Sequence, residues 1–440
     1  MNMNPGTERA VARASALSGI GSVAPADCDP VLVRMPQPVR GRGAVSRPAG
    51  RFDRWQREPD PIAAEPRAAE WSGDVVMRAP EPGFELPRQG EDGFDVDAPD
   101  RSLPTRVLVD QARSLITYNR SPDLPFDRTI NPYRGCEHGC SYCYARPGHA
   151  WLGHSPGLDF ESLLYAKHDA AALLRRELSA PSYRCATVHL GSATDAWQPI
   201  ERRLRLTRAV LEVLTEAHHP VTAITKSSLI ERDIDLLAQL AREGQASVYI
   251  SITTLDAELS RAWEPRAAAP WRRLQTIRRL AEAGIPVGVA LAPVVPFLNE
   301  PEIERILEAA RAAGASRAFY SLLRLPHEVE PVFCDWLQAH RPDSAARILA
   351  RIGDMRSTGS QRKLNDSRFG RRFKGKGHWA DLVAMRFKLA ARRLGLGEHR
   401  FELDASGFAP LEHWAKRSQS GADRPLAPPG SVSASQLALF

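Results

Sequence analysis

The stretch Asn131-Pro132-Tyr133-Arg134-Gly135-Cys136-Glu137-His138-Gly139-Cys140-Ser141-Tyr142-Cys143-Tyr144-Ala145-Arg146 decides how this chain is read. Its cysteines are spaced C-x3-C-x2-C. Thiolates are soft ligands, suited to iron–sulfur clusters or to zinc. Three of them in one tight loop hold three irons and leave a fourth open to a small chelating molecule. The chain has six cysteines, and the other three, Cys28, Cys185 and Cys334, are scattered. A crowded triad with a scattered remainder reads as a metal site in a reducing compartment, not as a disulfide framework. The alternative is a Cys3His zinc knuckle that borrows His138, His149 or His154.

Downstream of this loop the sequence alternates between short apolar runs and amphipathic stretches. Strands are expected at Ala186–Gly191, Val221–Thr225, Ser247–Ile252, Pro286–Leu291 and Ala318–Leu322, with one more just before Cys136. Helices are expected near Leu158–Leu178, Leu206–Ala217, Ile230–Glu243, Trp271–Ala283 and Glu302–Ala313, and Gly284 and Gly314 end two of them. Repeated β-then-α order predicts a parallel sheet with helices outside, and six such units predict an α/β fold of the partial, open (β/α)6 barrel type. In such barrels the chemistry sits at the C-terminal ends of the strands. A cysteine loop that follows a first strand and precedes the β/α series favours the cluster over the zinc knuckle.

The flanks differ in character. Residues 1–100 are rich in Pro, Gly, Arg and Ala and lack apolar periodicity, so they are expected to be a disordered extension. Residues 101–343 hold the barrel with its lead-in strands, residues 344–400 a basic helical region, and residues 401–440 a flexible tail. The net charge of +7 comes almost wholly from arginine. From Arg351 to Arg393 there are 13 Lys or Arg against 3 Asp, a local excess of +10. That concentration favours nucleic acid as a partner of residues 351–393. No run of apolar residues is long enough to span a membrane, and the first ten residues lack the order of a secretory signal, so the expected location is cytoplasmic.

C-x3-C-x-(aromatic)-C, with Tyr142 in the aromatic position, resembles the signature of the radical S-adenosylmethionine (radical SAM) superfamily, over about Thr117 to Leu396. Asn119-Arg120-Ser121-Pro122-Asp123, Gly191-Ser192-Ala193-Thr194-Asp195, Thr225-Lys226-Ser227 and Glu264-Pro265-Arg266 resemble the branch of spore photoproduct lyases and DNA-photolyase-like relatives. The resemblance implies a [4Fe–4S] cluster on Cys136, Cys140 and Cys143. It implies S-adenosylmethionine on the open iron, cleaved reductively to a 5′-deoxyadenosyl radical, and a low-potential electron donor such as flavodoxin or ferredoxin. It also implies cofactor contacts from Tyr142 and Tyr144 near the adenine, Asp195 near the methionyl amine, Lys226 on the methionyl carboxylate and Ser251 on ribose or carboxylate. Thr194, Thr253 and the fifth-strand stretch Ala290–Val294 lie at comparable positions. Glu264, Arg266, Arg324 and His327, just past strand ends, would bind substrate or form surface pairs.

One departure matters. The lyases carry a hydrogen-donating cysteine at the end of the second strand, where this chain reads Gly191-Ser192-Ala193-Thr194-Asp195. Radical chemistry on a nucleic acid, in repair or modification, is the favoured function. A protein or metabolite substrate and a non-catalytic iron–sulfur adaptor are the alternatives. Finally, Gln436-Leu437-Ala438-Leu439-Phe440, after a Pro/Ser-rich lead, resembles the linear motif by which bacterial repair proteins dock on the sliding clamp through Gln436, Leu437, Leu439 and Phe440.

Overall fold

A computed structural model describes residues 38–52, 103–357, 363–397, 399 and 401–411. The chain divides into two units, Met1–Met35 and Pro36–Phe440. The first lies outside the described residues, as do residues 53–102 and the motif at 436–440. The second unit carries all of the described strands and helices. Ten strands form two sheets. They are β1 (Arg106–Val109), β2 (Ile116–Tyr118), β3 (Arg128–Ile130), β4 (Tyr133–Arg134), β5 (Leu163–Ala166), β6 (Val188–Leu190), β7 (Val221–Thr225), β8 (Ala246–Ser251), β9 (Val287–Val294) and β10 (Arg317–Leu322). The larger sheet runs β10-β9-β8-β7-β6-β3-β2, and the smaller β1-β5-β4. From β3 to β10 the six strands of the larger sheet are parallel, and β2 pairs antiparallel with β3 at one edge. This is the partial six-unit barrel that the β/α order predicts.

Parallel strands are covered on both faces, which explains why β8, Ala-Ser-Val-Tyr-Ile-Ser, is buried at every position. The covering helices present one apolar stripe each. In Leu206–Glu216 the stripe is Leu206, Val210, Leu211, Val213 and Leu214, all buried. Gly284 (φ 76°) and Gly314 (φ 111°) close two helices as expected. Each sits in the left-handed region, so that Ile285 N–H reaches Leu280 O (3.1 Å) and Ala315 N–H reaches Ala310 O (3.0 Å).

Three expectations need correction. Leu158–Leu178 is not one helix: Leu158–Ser162 and Ala170–Leu178 are helical, and β5 lies between them. Leu163–Ala166 pairs parallel with β1 and antiparallel with β4, and that pairing outweighs a helix-compatible pattern. Residues 38–52, within the stretch expected to be disordered, form a strap on the cysteine loop. Buried Arg42 donates to the Glu161 carbonyl and to Thr105 Oγ1 (3.0 Å), and Ala44 is fully buried. Residues 401–411, expected to be flexible tail, bind back. Asp404 N–H donates to Gly244 O (3.0 Å), Ala409 N–H to Ala217 O (3.0 Å), and Phe408 packs on His219 and Tyr183. Both segments lack helix and strand, and a few irregularly spaced anchors leave no periodic signal.

The larger sheet is not closed by pairing β10 to β2. Instead, loops attached to its two edges meet. Arg372, in the loop after Pro342–Arg356, lies 2.8 Å from Asp123 in the β2–β3 loop and also donates to Ser121 Oγ. Gly370 N–H donates to the same carboxylate (2.7 Å). The loop is tied to the C-terminal end of β10 through Leu322 N–H on Phe373 O (2.8 Å).

The same contacts revise the charge count. Arg372 is paired by Asp123, Arg386 by Glu300 and Glu304, and Arg393 by Glu308. All four acids lie outside the 351–393 window. Arg356 is buried and donates to the carbonyls of Leu322, Leu323, Arg371 and Arg372. Lys363, Arg371, Lys374, Lys376, Lys388 and Arg392 have no ion-pair partner among the described residues, and Lys374, Lys376, Lys388 and Arg392 are exposed.

Candidate active site

The cysteine loop runs from β4 to the short helix Pro147–Ala150. Two glycines bend it. Gly135 (φ 77°) leaves no room for a Cβ, which would lie 2.8 Å from Leu164 and 2.9 Å from His149 and the Phe160 carbonyl. Gly139 (φ 68°) lets the strap and Glu161 approach. The loop backbone is held from outside. Cys136 N–H donates to Phe160 O (2.9 Å), Glu137 N–H to Gln198 Oε1 (2.8 Å) and Ser141 N–H to Trp263 O (3.2 Å). Fully buried Arg146 donates to the carbonyls of Cys140 (2.8 Å), Pro156 (3.0 Å) and Gly157 (2.8 Å), and pairs with buried Glu161.

All three thiols are free; Cys136 and Cys140 are buried and Cys143 half-buried. Burial pushes each thiol up, Cys140 to about 12, and Cys140 and Cys143 push Cys136 further. Lys226 works against the rise at Cys140, and Arg146, then Lys226, at Cys143. Three neighbouring buried thiols whose ionisation needs a nearby cation suit a multi-iron centre. The histidines of the zinc alternative each spend a ring nitrogen elsewhere. His138 pairs with Asp195 (3.3 Å), His149 with Leu163 O (2.8 Å) and His154 with Tyr165 Oη (2.5 Å).

The strand-end residues fall around this loop. Lys226 follows β7, and its ammonium lies 5.7 Å from the Tyr142 ring centroid. Burial alone would lower its pKa, but Cys140 and Glu264 raise it, so it is held charged. Asp195, in the loop after β6, accepts from Thr225 Oγ1 (2.7 Å), Lys226 N–H (2.8 Å) and Trp197 N–H (2.9 Å) and pairs with His138. Burial opposes its ionisation, yet His138 and those donors hold the carboxyl down at about 2. It fastens the end of β7 to the cysteine loop. Ser251 ends β8, buried, and its carbonyl accepts from Arg273 (3.0 Å). Thr253 Oγ1 is spent on Glu264 (2.7 Å).

Tyr142 is buried edge-on against Trp263 (4.7 Å), and its hydroxyl donates to Glu264. Tyr144 is partly exposed, donates to the Ser192 carbonyl and carries Arg324 over its ring (5.3 Å). Glu264 is not a surface residue: it is fully buried and paired with Arg273. Arg266 pairs with Glu137 (2.9 Å). Reading strand ends finds none of Arg273, Arg146, Glu161, Asn131 or Arg42. Asn131, inside the quoted stretch, accepts from Ala193 N–H (2.9 Å), and buried charges on helices or straps carry no local signature.

Residues 130–310 match the Radical SAM superfamily. Over that stretch the chain is similar to radical SAM proteins. Membership of that superfamily implies a [4Fe–4S] cluster and S-adenosylmethionine. An uncharacterized protein of Mycobacterium tuberculosis is 37% identical to this chain over 226 residues, which is 51% of this chain and 66% of that relative. The match thus spans just under two thirds of that relative's length. An uncharacterized protein of Methanocaldococcus jannaschii is 27% identical over 196 residues, 44% of this chain and 70% of that relative. Among solved structures, a spore photoproduct lyase mutant has a TM-score of 0.48 at 16% identity, covering 69% of this chain and 88% of that one. Among the described residues no helix is long and apolar enough to cross a membrane.

Proposed function

We propose that this chain is a radical SAM enzyme that modifies or repairs a nucleic acid. Cys136, Cys140 and Cys143 are assigned to the cluster, supported by their shared loop, burial and freedom. When bound, the cluster and S-adenosylmethionine supply a reductively generated radical that takes a hydrogen atom from the substrate. The chain's own residues bind and orient. Lys226 offers a charged donor to the methionyl carboxylate, and Ser251 a buried hydroxyl at the neighbouring strand end. Tyr142 and Tyr144 flank Cys143 and frame the adenine side. Asp195, already saturated with donors, is assigned to positioning Lys226 and His138, not to direct contact with the amine.

The observation that carries the nucleic-acid reading is the loop tied to the end of β10. After all ion pairing, Arg371, Lys374 and Lys376 on that loop have no acidic partner among the described residues. Unneutralised cations beside a barrel mouth are what phosphate binding needs. Resemblance to the photolyase-like branch agrees. Cytoplasmic location, a flavodoxin or ferredoxin donor and docking of Gln436, Leu437, Leu439 and Phe440 on a sliding clamp belong to the same reading. The test combines two measurements. Reconstituted enzyme is reduced with dithionite and incubated anaerobically with deuterated DNA or RNA and S-adenosylmethionine, and deuterium is expected in 5′-deoxyadenosine. Changing Arg371, Lys374 and Lys376 together to Gln is expected to flatten the salt dependence of single-strand binding by about two in slope. No deuterium from any nucleic acid, with an unchanged slope, would reject the reading.

A further inference from the structure

We propose that Arg324 anchors a phosphodiester of the substrate strand at the barrel mouth, within a ladder of stacked rings and guanidinium groups that leads from the cysteine loop to the surface. The assignment rests on the nucleic-acid reading above and names the site through which it works.

The ladder has five members. Tyr144, next to Cys143, stacks under the Arg324 guanidinium (5.3 Å to the ring centroid). Arg324, two residues beyond β10, also stands 5.1 Å from Phe373. Phe373 carries Arg372 at 4.8 Å, and Arg372 stands 5.1 Å from Phe369. Phe369 is 61% exposed, a large apolar ring in water. The ladder thus connects a solvent-facing ring to the tyrosine that adjoins the cysteine triad.

The two guanidinium groups have different fates. Arg372 is spent on Asp123 and Ser121. Arg324 makes no hydrogen bond or ion pair with any described residue. Its charged neighbours are Arg372 and Arg356, which repel it, and Asp123, which Arg372 already holds. Packing against rings uses the faces of a guanidinium and leaves its edge of coplanar N–H donors for a ligand. That edge fits the oxygens of a phosphate in a fork. A half-buried cation without a counter-charge is costly, and burial does draw its pKa below the usual arginine value. An anion at this point relieves both. The exposed ring of Phe369 suits an unpaired base, because every base has a face to stack. An extruded or single-stranded nucleotide is also what enzymes acting on a base require.

The experiment measures fluorescence anisotropy of a labelled single-stranded oligothymidylate of about a dozen nucleotides over a salt series, with full-length, cluster-reconstituted protein. Arg324→Gln is expected to weaken binding about tenfold and to reduce the salt slope by about 0.7, the share of one phosphate contact. Arg324→Lys is expected to keep the slope yet bind several-fold more weakly, because a lysine has neither the plane nor the fork. If Arg324→Gln binds like the unaltered protein, the assignment is overturned while the nucleic-acid reading stands. If Arg324→Gln does not fold, Arg324→Lys with unaltered affinity overturns it instead. Unaltered protein that shows no salt-dependent binding removes the nucleic-acid reading and this site with it. Equal displacement of the oligonucleotide by polyglutamate of matched charge marks an acidic-peptide site and also overturns the assignment.

Discussion

The Tyr142 hydroxyl donates to the Glu264 carboxylate across 122 residues of sequence. Glu264 also accepts from Thr253 and pairs with Arg273, which in turn binds the Ser251 carbonyl. The cysteine loop is therefore bolted to the end of β8 and to helix Pro270–Glu282 through one buried carboxylate. Tyr142→Phe removes one bond and leaves Glu264 with two partners, so it is expected to cost about 1–2 kcal/mol. Glu264→Gln leaves Arg273 buried without a counter-charge and is expected to cost about 3–5 kcal/mol. Urea denaturation of both variants checks the order. An equal loss for the two would mean that the ion pair contributes nothing beyond the tyrosine bond.

Asp195 predicts an acid transition. Its folded-state pKa of about 2 lies below the ordinary 3.8. A depressed carboxyl contributes stability that is fully present above the unfolded value and is lost as pH falls through the folded one. With a side chain only 9% exposed, the contribution is about 2 kcal/mol. Asp195→Asn is expected to be less stable by that amount at neutral pH, and the gap should close between about pH 4 and pH 2. A gap that does not change with pH would place the effect in packing instead of charge.

Gly43 predicts a defect in the strap. Its N–H donates to Glu161 Oε2 (3.0 Å), and an added Cβ would collide with the Gly139 carbonyl. Gly43→Ala is expected to lift the strap while the barrel stays folded. Limited proteolysis should then cut within residues 40–52, and the reconstituted cluster should bleach faster in air. Unchanged cleavage and bleaching would show that the loop accommodates the methyl group.

The residues proposed to hold the cofactors separate into two classes. Replacing Cys136, Cys140 or Cys143 by Ala is expected to remove the iron, about four atoms per chain, together with S-adenosylmethionine cleavage. Lys226→Ala is expected to retain the iron and to weaken S-adenosylmethionine binding by about 1.5–3 kcal/mol, the scale of a charged hydrogen bond. Iron analysis and equilibrium binding on the same samples distinguish them. Zinc in place of iron, or unaltered cofactor binding by Lys226→Ala, would contradict the respective assignment.

The cysteine triad, the six parallel strands and the glycine helix ends are legible in the sequence, because each is written in residues adjacent along the chain. Spacing defines a thiol loop, apolar runs define buried parallel strands, and only glycine occupies the left-handed turn at Gly284 or Gly314 at no steric cost. Tertiary structure decides the rest. Leu163–Ala166 is a strand because β1 and β4 lie beside it. Within the cationic window 351–393, Arg372, Arg386 and Arg393 are neutralised by Asp123, Glu300, Glu304 and Glu308, which no local count includes. The hydrogen bonds of Asp195 to the end of β7 and the burial of Glu264 between Tyr142 and Arg273 are likewise invisible along the chain. Sequence specifies which charges exist. Their state and reach depend on burial and on partners brought within a few ångströms by the fold, because electrostatic energy follows distance and dielectric and not position along the chain.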